Sequence, residues 1–240
     1  MATKLFLRNT QNNSIGSTYY DMVTVAGAAL DTAVVASVNS GTEIQWTKTS
    51  GGSIVQWISG RAPAGGFTLT TTDISIWALE ASMNANCGGG YRVFKRTAAG
   101  SESELGGGRY DDGVEFAYSV AGEVTWTGNP TDTAFAENDR ILLKIYIVAV
   151  GTMAGPYDCT LSYNAADAAT GDSFFNIAET VAFKAEPVTD VFHEGLSRIA
   201  QGDKPNTAAG MGGILWEKRD SGMVVPKKRG FLYLGREVYA

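Results

Sequence analysis

Apolar and polar residues alternate along most of this chain with a period of two, the spacing of a half-buried strand. Lys4–Arg8 predicts a first strand, followed by a polar loop from Asn9 to Ser17 and a second strand at Tyr19–Val23. In Thr42–Ser59, Ile44 and Trp46 fall on one face, and Val55 and Trp57 repeat the pattern beyond Ser50-Gly51-Gly52. Two such runs around a Gly-Gly turn predict a hairpin. Phe67–Thr70 and Asp73–Ser82 continue the series; in the latter Ile74, Ile76 and Ala78 alternate with Ser75, Trp77 and Leu79, so both faces are expected to be covered. Asn84–Gly90 reads as turn, Tyr91–Arg96 as strand, Ala98–Ser101 as turn and Ser103–Leu105 as the returning strand. Glu115–Ser119 and Glu123–Thr127 follow. Arg140–Val150 is nearly continuous in apolar and β-branched residues, as a central strand should be. Tyr157–Tyr163, Phe174–Ile177 and Thr180–Lys184 complete a body of ten or more short strands. Turn signals about every ten residues and no helical pattern between strands predict an all-β, antiparallel β-sandwich, jelly-roll-like in kind.

The pattern changes at Pro187. Residues 1–186 read as the sandwich body and 187–240 as an irregular C-terminal arm. Phe192–Ile199 predicts one short helix. Gly202–Gly213 holds four of the 29 glycines, and Ile214–Lys218, Met223–Val225 and Gly230–Val238 read as short strands. So short and glycine-rich a segment cannot bury a core of its own. Its aromatic residues Trp216, Phe231, Tyr233 and Tyr239 are therefore expected at an interface, on the body or on a neighbouring subunit.

Composition supports the strand reading: 44% of residues are hydrophobic and only 18% charged. The net charge of −6 is uneven, with 11 Lys/Arg against 19 Asp/Glu in residues 1–186 and 8 against 6 in 187–240. An acidic body and a mildly basic arm can attract each other, within a chain or between copies. No segment has the basic excess of a nucleic-acid binder. Neither a run of about 18 apolar residues nor a secretory h-region is present, so no membrane helix and no leader are expected.

Candidate chemistry is sparse, and the expectation is a non-enzyme without cofactor or metal. The one histidine, His193, has no nucleophile beside it in sequence. Cys87 and Cys159 are too far apart for a CxxC site and are expected as buried apolar residues, bridged or not. The carboxylates Asp111-Asp112 and Glu102/Glu104 could in principle serve acid/base chemistry, but acidic residues in glycine-rich loops are more often turn formers. Asn164–Ser173 places oxygen ligands near a glycine without the EF-hand spacing and reads as a connecting loop. Gly88–Gly90 and Gly106–Gly108 lack the Lys-Ser/Thr and helix of a phosphate loop. Trp46, Trp57, Trp77 and Trp126 raise a glycan platform as an alternative, although strand tryptophans usually fill cores.

The blocks Thr42–Trp46, Gln56–Arg61, Phe67–Leu69, Ile76–Glu80 and Tyr91–Lys95, with Phe135–Lys144 as a turn into a long strand, resemble a β-sandwich module of tailed-bacteriophage structural proteins. The resemblance covers about residues 1–186 and its motifs are structural. It implies a virion component made in the host cytoplasm, serving in such families as decoration, tail appendage or fibre attachment; the leading expectation is a capsid decoration (cement) protein that stabilises the head shell. Its partners would be the major capsid protein or other virion proteins, with the chain itself a homo-oligomer such as a trimer. A tail, neck or baseplate appendage and a glycan-binding receptor-recognition module are the alternatives.

Overall fold

The computed structural model describes residues 2–38, 43–48, 52–151, 157–185, 216–218 and 224–226. Every element among them is a strand: β1 (Thr3–Gln11), β2 (Tyr19–Val23), β3 (Asp31–Val38), β4 (Ile44–Gln45), β5 (Gln56–Ser59), β6 (Phe67–Leu69), β7 (Thr72–Glu80), β8 (Cys87–Arg96), β9 (Glu102–Tyr110), β10 (Ala117–Tyr118), β11 (Gly122–Gly128), β12 (Thr133–Phe135), β13 (Arg140–Ala149), β14 (Tyr157–Tyr163), β15 (Phe174–Ile177), β16 (Trp216–Lys218) and β17 (Val224–Pro226). The chain divides into two compact units, Met1–Glu186 and Pro187–Ala240. In the second, β16 and β17 form an antiparallel pair. Phe231, Tyr233 and Tyr239, with the helix expected at 192–199, lie outside the described residues.

In the first unit two long strands organise the fold. β7 carries β11 and then β10 along one edge, and β14 and then β15 along the other. β13 carries β8 along one edge, and β4 and then β5 along the other, with β9 beyond β8. β3 flanks β14, β1 flanks β15, and β2 lies between β1 and β5, joining the two layers. The layers then meet face to face. Trp57 of β5 touches Tyr163 of β14 at 5.3 Å between ring centroids, and Tyr91 of β8 touches Phe175 of β15 at 6.1 Å. The Tyr91 hydroxyl and Thr72 Oγ1 are 2.9 Å apart across the same gap. Ring contacts of this kind fill the roughly 10 Å between stacked sheets. The fold is thus an all-β sandwich.

Alternation in the sequence becomes burial in the structure. Ile74, Ile76 and Ala78 of β7 are fully buried, as are Ile141, Leu143, Ile145 and Ile147 of β13. Trp46, Trp57 and Trp126 are the largest buried side chains. Several expectations need correction. The sheet is mixed, because β2 runs parallel to β5 and β10 parallel to β7. β3 was not foreseen. Thr180–Lys184 makes only a single bridge, Arg61 to Lys184. Gly88–Gly90 belong to β8 and not to a turn. A Cβ on Gly89 would lie 2.7 Å from Phe116 Cζ and 2.9 Å from Trp126 Cη2, so the glycines let aromatic rings cross directly over the strand. Gly106–Gly108 likewise lie within β9, at a bulge opposite Arg92.

β14–β15 and β4–β5 share a further feature. Each is one line of strand along its long partner, interrupted by a detour. Residues 164–173 leave the edge of β7 and return to it, and residues 46–55 do the same at β13.

Candidate functional site

The residues with chemical potential fall into structural roles. Asp111 pairs with Arg109 at 2.8 Å. Asp112 Oδ1 accepts from Val114 N and from Trp126 Nε1, each at 3.0 Å, so it fixes its own loop against the core. Glu102 and Glu104 lie on the outer face of β8, β9 and β13. There Arg92 grips Glu43 with two hydrogen bonds, 3.0 and 2.8 Å, and Glu104 with one of 2.7 Å. Glu102 accepts from the Tyr19 hydroxyl at 2.7 Å, from Arg96 at 2.8 Å and from Lys144 at 3.4 Å. Burial pushes the Glu102 carboxyl upward, but Tyr19, Lys144 and Arg96 outweigh it and hold the group below its ordinary value. Lys144 also sits 4.3 Å from the Phe94 ring centroid, and Arg92 lies over Tyr146. In register Lys144 stands opposite Arg92, a like-charge pair that the neighbouring carboxylates neutralise.

Ion pairs and hydrogen bonds hold the 164–173 detour. Lys4 Nζ reaches Asp167 at 2.7 Å and Asp172 at 3.3 Å, and Asp172 Oδ2 accepts from Ala168 N at 2.8 Å. Among the described residues no three His, Cys, Asp or Glu side chains converge as metal ligands. Cys87 and Cys159 are both buried and free. Cys87 Sγ donates to Ala85 O at 3.5 Å, and the neighbouring Cys87 thiol together with burial pushes the Cys159 thiol up. Sequence spacing could not have revealed this proximity. Glu80, cross-strand from Cys159, accepts from Cys87 N at 3.1 Å. Burial pushes its carboxyl up, against the Cys87 hydrogen bond and with the help of Glu115. His193 lies outside the described residues, and of Trp216 only the backbone is described. Trp46, Trp57 and Trp126 are core residues and Trp77 is half-buried, so these four do not form an exposed aromatic platform.

Two further surface features stand out among the described residues. One is a half-open groove of about 430 Å³ between the end of β2 and residues 181–185, with Leu5, Met22 and Gly60 in its lining and an Asn12–Asp21 hydrogen bond of 2.9 Å beside it. The other is the end of the body where β7 turns into β8. Met83, Val114, Tyr118 and Val120 are exposed there by 71, 50, 49 and 71%.

No family model and no characterised protein sequence matches the chain. Among solved structures, a CocE/NonD family hydrolase from Staphylococcus aureus superposes with a TM-score of 0.45 at 10% identity, over 74% of this chain and 36% of that one. An infectious bursal disease virus structure, Gt strain, gives a TM-score of 0.30 at 10% identity, over 74% and 48%. The VP2 subviral particle of the same virus gives 0.23 at 8% identity, over 76% and 50%. The chain thus spans between about a third and a half of the length of these proteins. No helix among the described residues is long and apolar enough to cross a membrane.

Proposed function

We propose that this chain is a non-enzymatic structural component of a virus particle, specifically a decoration protein bound to the head shell of a tailed bacteriophage. The observation that carries the reading is a contrast within one surface. The carboxylates and cations of the outer β8–β9–β13 face are tied to one another, whereas large apolar side chains stand in solvent at the β7–β8 end. A surface that is electrostatically satisfied on one side and apolar at one end suits assembly, in which apolar contact drives docking and a polar rim keeps free copies soluble. The likeness of residues 1–186 to a tailed-phage module supplies the kind of particle. The mechanism is mechanical: copies bind the major capsid protein or other virion proteins where shell subunits meet, and symmetry multiplies modest contacts. The C-terminal unit adds contacts to a neighbour, with Trp216, Phe231, Tyr233 and Tyr239 as its anchors. Electron cryomicroscopy of virus particles purified from cells that produce this chain tests the reading. Density on the outer shell is the expected result. Density on the tail, neck or baseplate would move the chain to an appendage, and absence from the particle would overturn the virion role.

A further inference from the structure

We propose that the β7–β8 end of the body is the docking surface for the C-terminal unit of a second copy, which engages it through the basic residues around the β16–β17 pair. The inference rests on the assembly reading above and names the surface and the partner that assembly uses.

Four of the seven large apolar side chains exposed among the described residues gather at this end: Met83, Val114, Tyr118 and Val120. Topology puts them together. β10 extends the edge of β7, with Ala117 opposite Leu79 and Tyr118 opposite Glu80. Met83 lies just past that edge, in the turn to β8. Glu115 bridges Gly88, and Phe116 N donates to Cys87 O at 2.7 Å, so residues 114–116 lie against the start of β8.

The surface is held in shape before any partner arrives. Phe116 is buried, with its ring 6.2 Å from that of Trp46 and 6.4 Å from that of Trp126. The two hydrogen bonds to Asp112 Oδ1 fix Val114 and Trp126 to the same loop. Apolar groups fixed on an anchored loop lose little conformational freedom on binding.

Charge selects the partner. The stretch 111–123 that carries Val114, Tyr118 and Val120 contains no Lys or Arg; its Asp111 is paired with Arg109 and its Asp112 with its own loop, while Glu115 and Glu123 are exposed at the surface. Residues 217–229 show the reverse: Lys218, Arg219, Lys227, Lys228 and Arg229 stand against Glu217 and Asp220, with Met223-Val224-Val225 between them. An apolar surface with an acidic rim meets an apolar segment with a basic rim. The contact uses different patches on the two copies, so it is heterologous and generates a ring or an open chain of copies.

The test uses the full-length chain and sedimentation velocity over a concentration series at low and high salt. Wild type is expected to self-associate, more weakly as salt rises. Val120→Asp is expected to weaken association at least about tenfold, the loss that follows from desolvating a charge in an apolar contact. Glu115→Lys/Glu123→Lys and Lys227→Glu/Lys228→Glu should each remain monomeric. When those two variants are mixed, each variant's acceptor surface is complementary to the other's donor segment, and mixed assemblies in which the two variants alternate should appear. Unchanged circular dichroism melts show that the variants fold. Self-association that ignores all three variants, or a mixture that stays monomeric, would overturn the surface assignment while leaving the assembly reading intact. A wild type that stays monomeric yet binds shells would overturn the second copy as partner and make the shell protein the occupant.

Discussion

The two detours solve the same problem with opposite chemistry. Both leave a strand line beside a long central strand and return to it. The 46–55 detour is anchored inward at its two ends. Trp46 and Val55 are fully buried, Val55 N donates to Trp46 O at 2.8 Å, and Thr47 pairs with Val34 of β3. Its shape is set by apolar side chains that fill the space between layers. The 164–173 detour is set by polar groups that replace lost ladder bonds. Asn164 Oδ1 accepts from Arg8 Nε at 2.9 Å and from Asn9 N, while its Nδ2 donates to Ala29 O at 2.6 Å. Ser173 Oγ donates to Ser162 O at 2.7 Å and accepts from Trp77 N at 3.1 Å. An interrupted strand can therefore be stabilised either by burying a large side chain or by satisfying each orphaned backbone group from a side chain.

Removing the inward plug should produce the largest effect. Trp46→Ala is expected to cost about 3–5 kcal/mol, measured by urea denaturation, since it empties a close-packed site. Trp46→Phe should cost clearly less, because the indole N–H is buried without an acceptor among the described residues and its loss forfeits no hydrogen bond. Equal costs would mean that packing does not govern this detour. Next comes Asn164→Ala, at about 1–3 kcal/mol in the same assay, because it strands the Ala29 carbonyl and the Arg8 and Asn9 donors. Asn164 also sits at φ +65°, where asparagine is tolerated better than alanine.

Acid should sharpen the contrast. Lys48, at the base of the inward detour, donates to Asp31 and to the Tyr163 hydroxyl. Burial pushes the Asp31 carboxyl up, but Lys48, Thr32 N and Asn9 outweigh it, and the group stays below its ordinary 3.8. Its contribution is therefore complete above about pH 4 and lost as pH falls through the lowered value. Asp31→Asn should flatten the acid limb of a stability–pH curve while leaving the slope near pH 7 unchanged; an unaltered acid limb would refute the link. The smallest effect is expected from Asp167→Asn. Its pair with Lys4 lies largely in solvent, so a drop in melting temperature should be seen only at low ionic strength.

Local features of this fold were legible in the chain, and non-local ones were not. Alternation located β7 and β14, a nearly continuous apolar run located β13, and alternation put Trp46, Val55 and Trp57 on faces that turn out to be core. β3 escaped notice because Asp31–Val38 is broken by Thr32, Ala36 and Ser37 and has little contrast between its faces. Glycine misled at Gly88–Gly90, where the close approach of Phe116 and Trp126 decides the conformation, and those rings come from distant sequence. The parallel β2–β5 pair and the interrupted lines along β7 and β13 depend on register between remote segments. For the same reason the meeting of Cys87 with Cys159 could not be read from their spacing. Of the assembly surface, the acidic stretch 111–123 was visible as composition, but its position beside Met83 required the β10–β7 pairing.

The pairing of β1 with β15 has a consequence for the order of events during synthesis. Thr3 Oγ1 donates to Glu179 O, 176 residues away, and accepts from Val181 N. β1 emerges from the ribosome before the rest of the body but gains its β15 neighbour only after nearly the whole body has been translated. Until then β1 has β2 on one side and an open edge on the other, the kind of edge on which nascent chains aggregate. Closing so distant a seam is slow. The short polar turn between β1 and β2 then acts as an early guard, keeping the first strand paired while the ribosome finishes its partner.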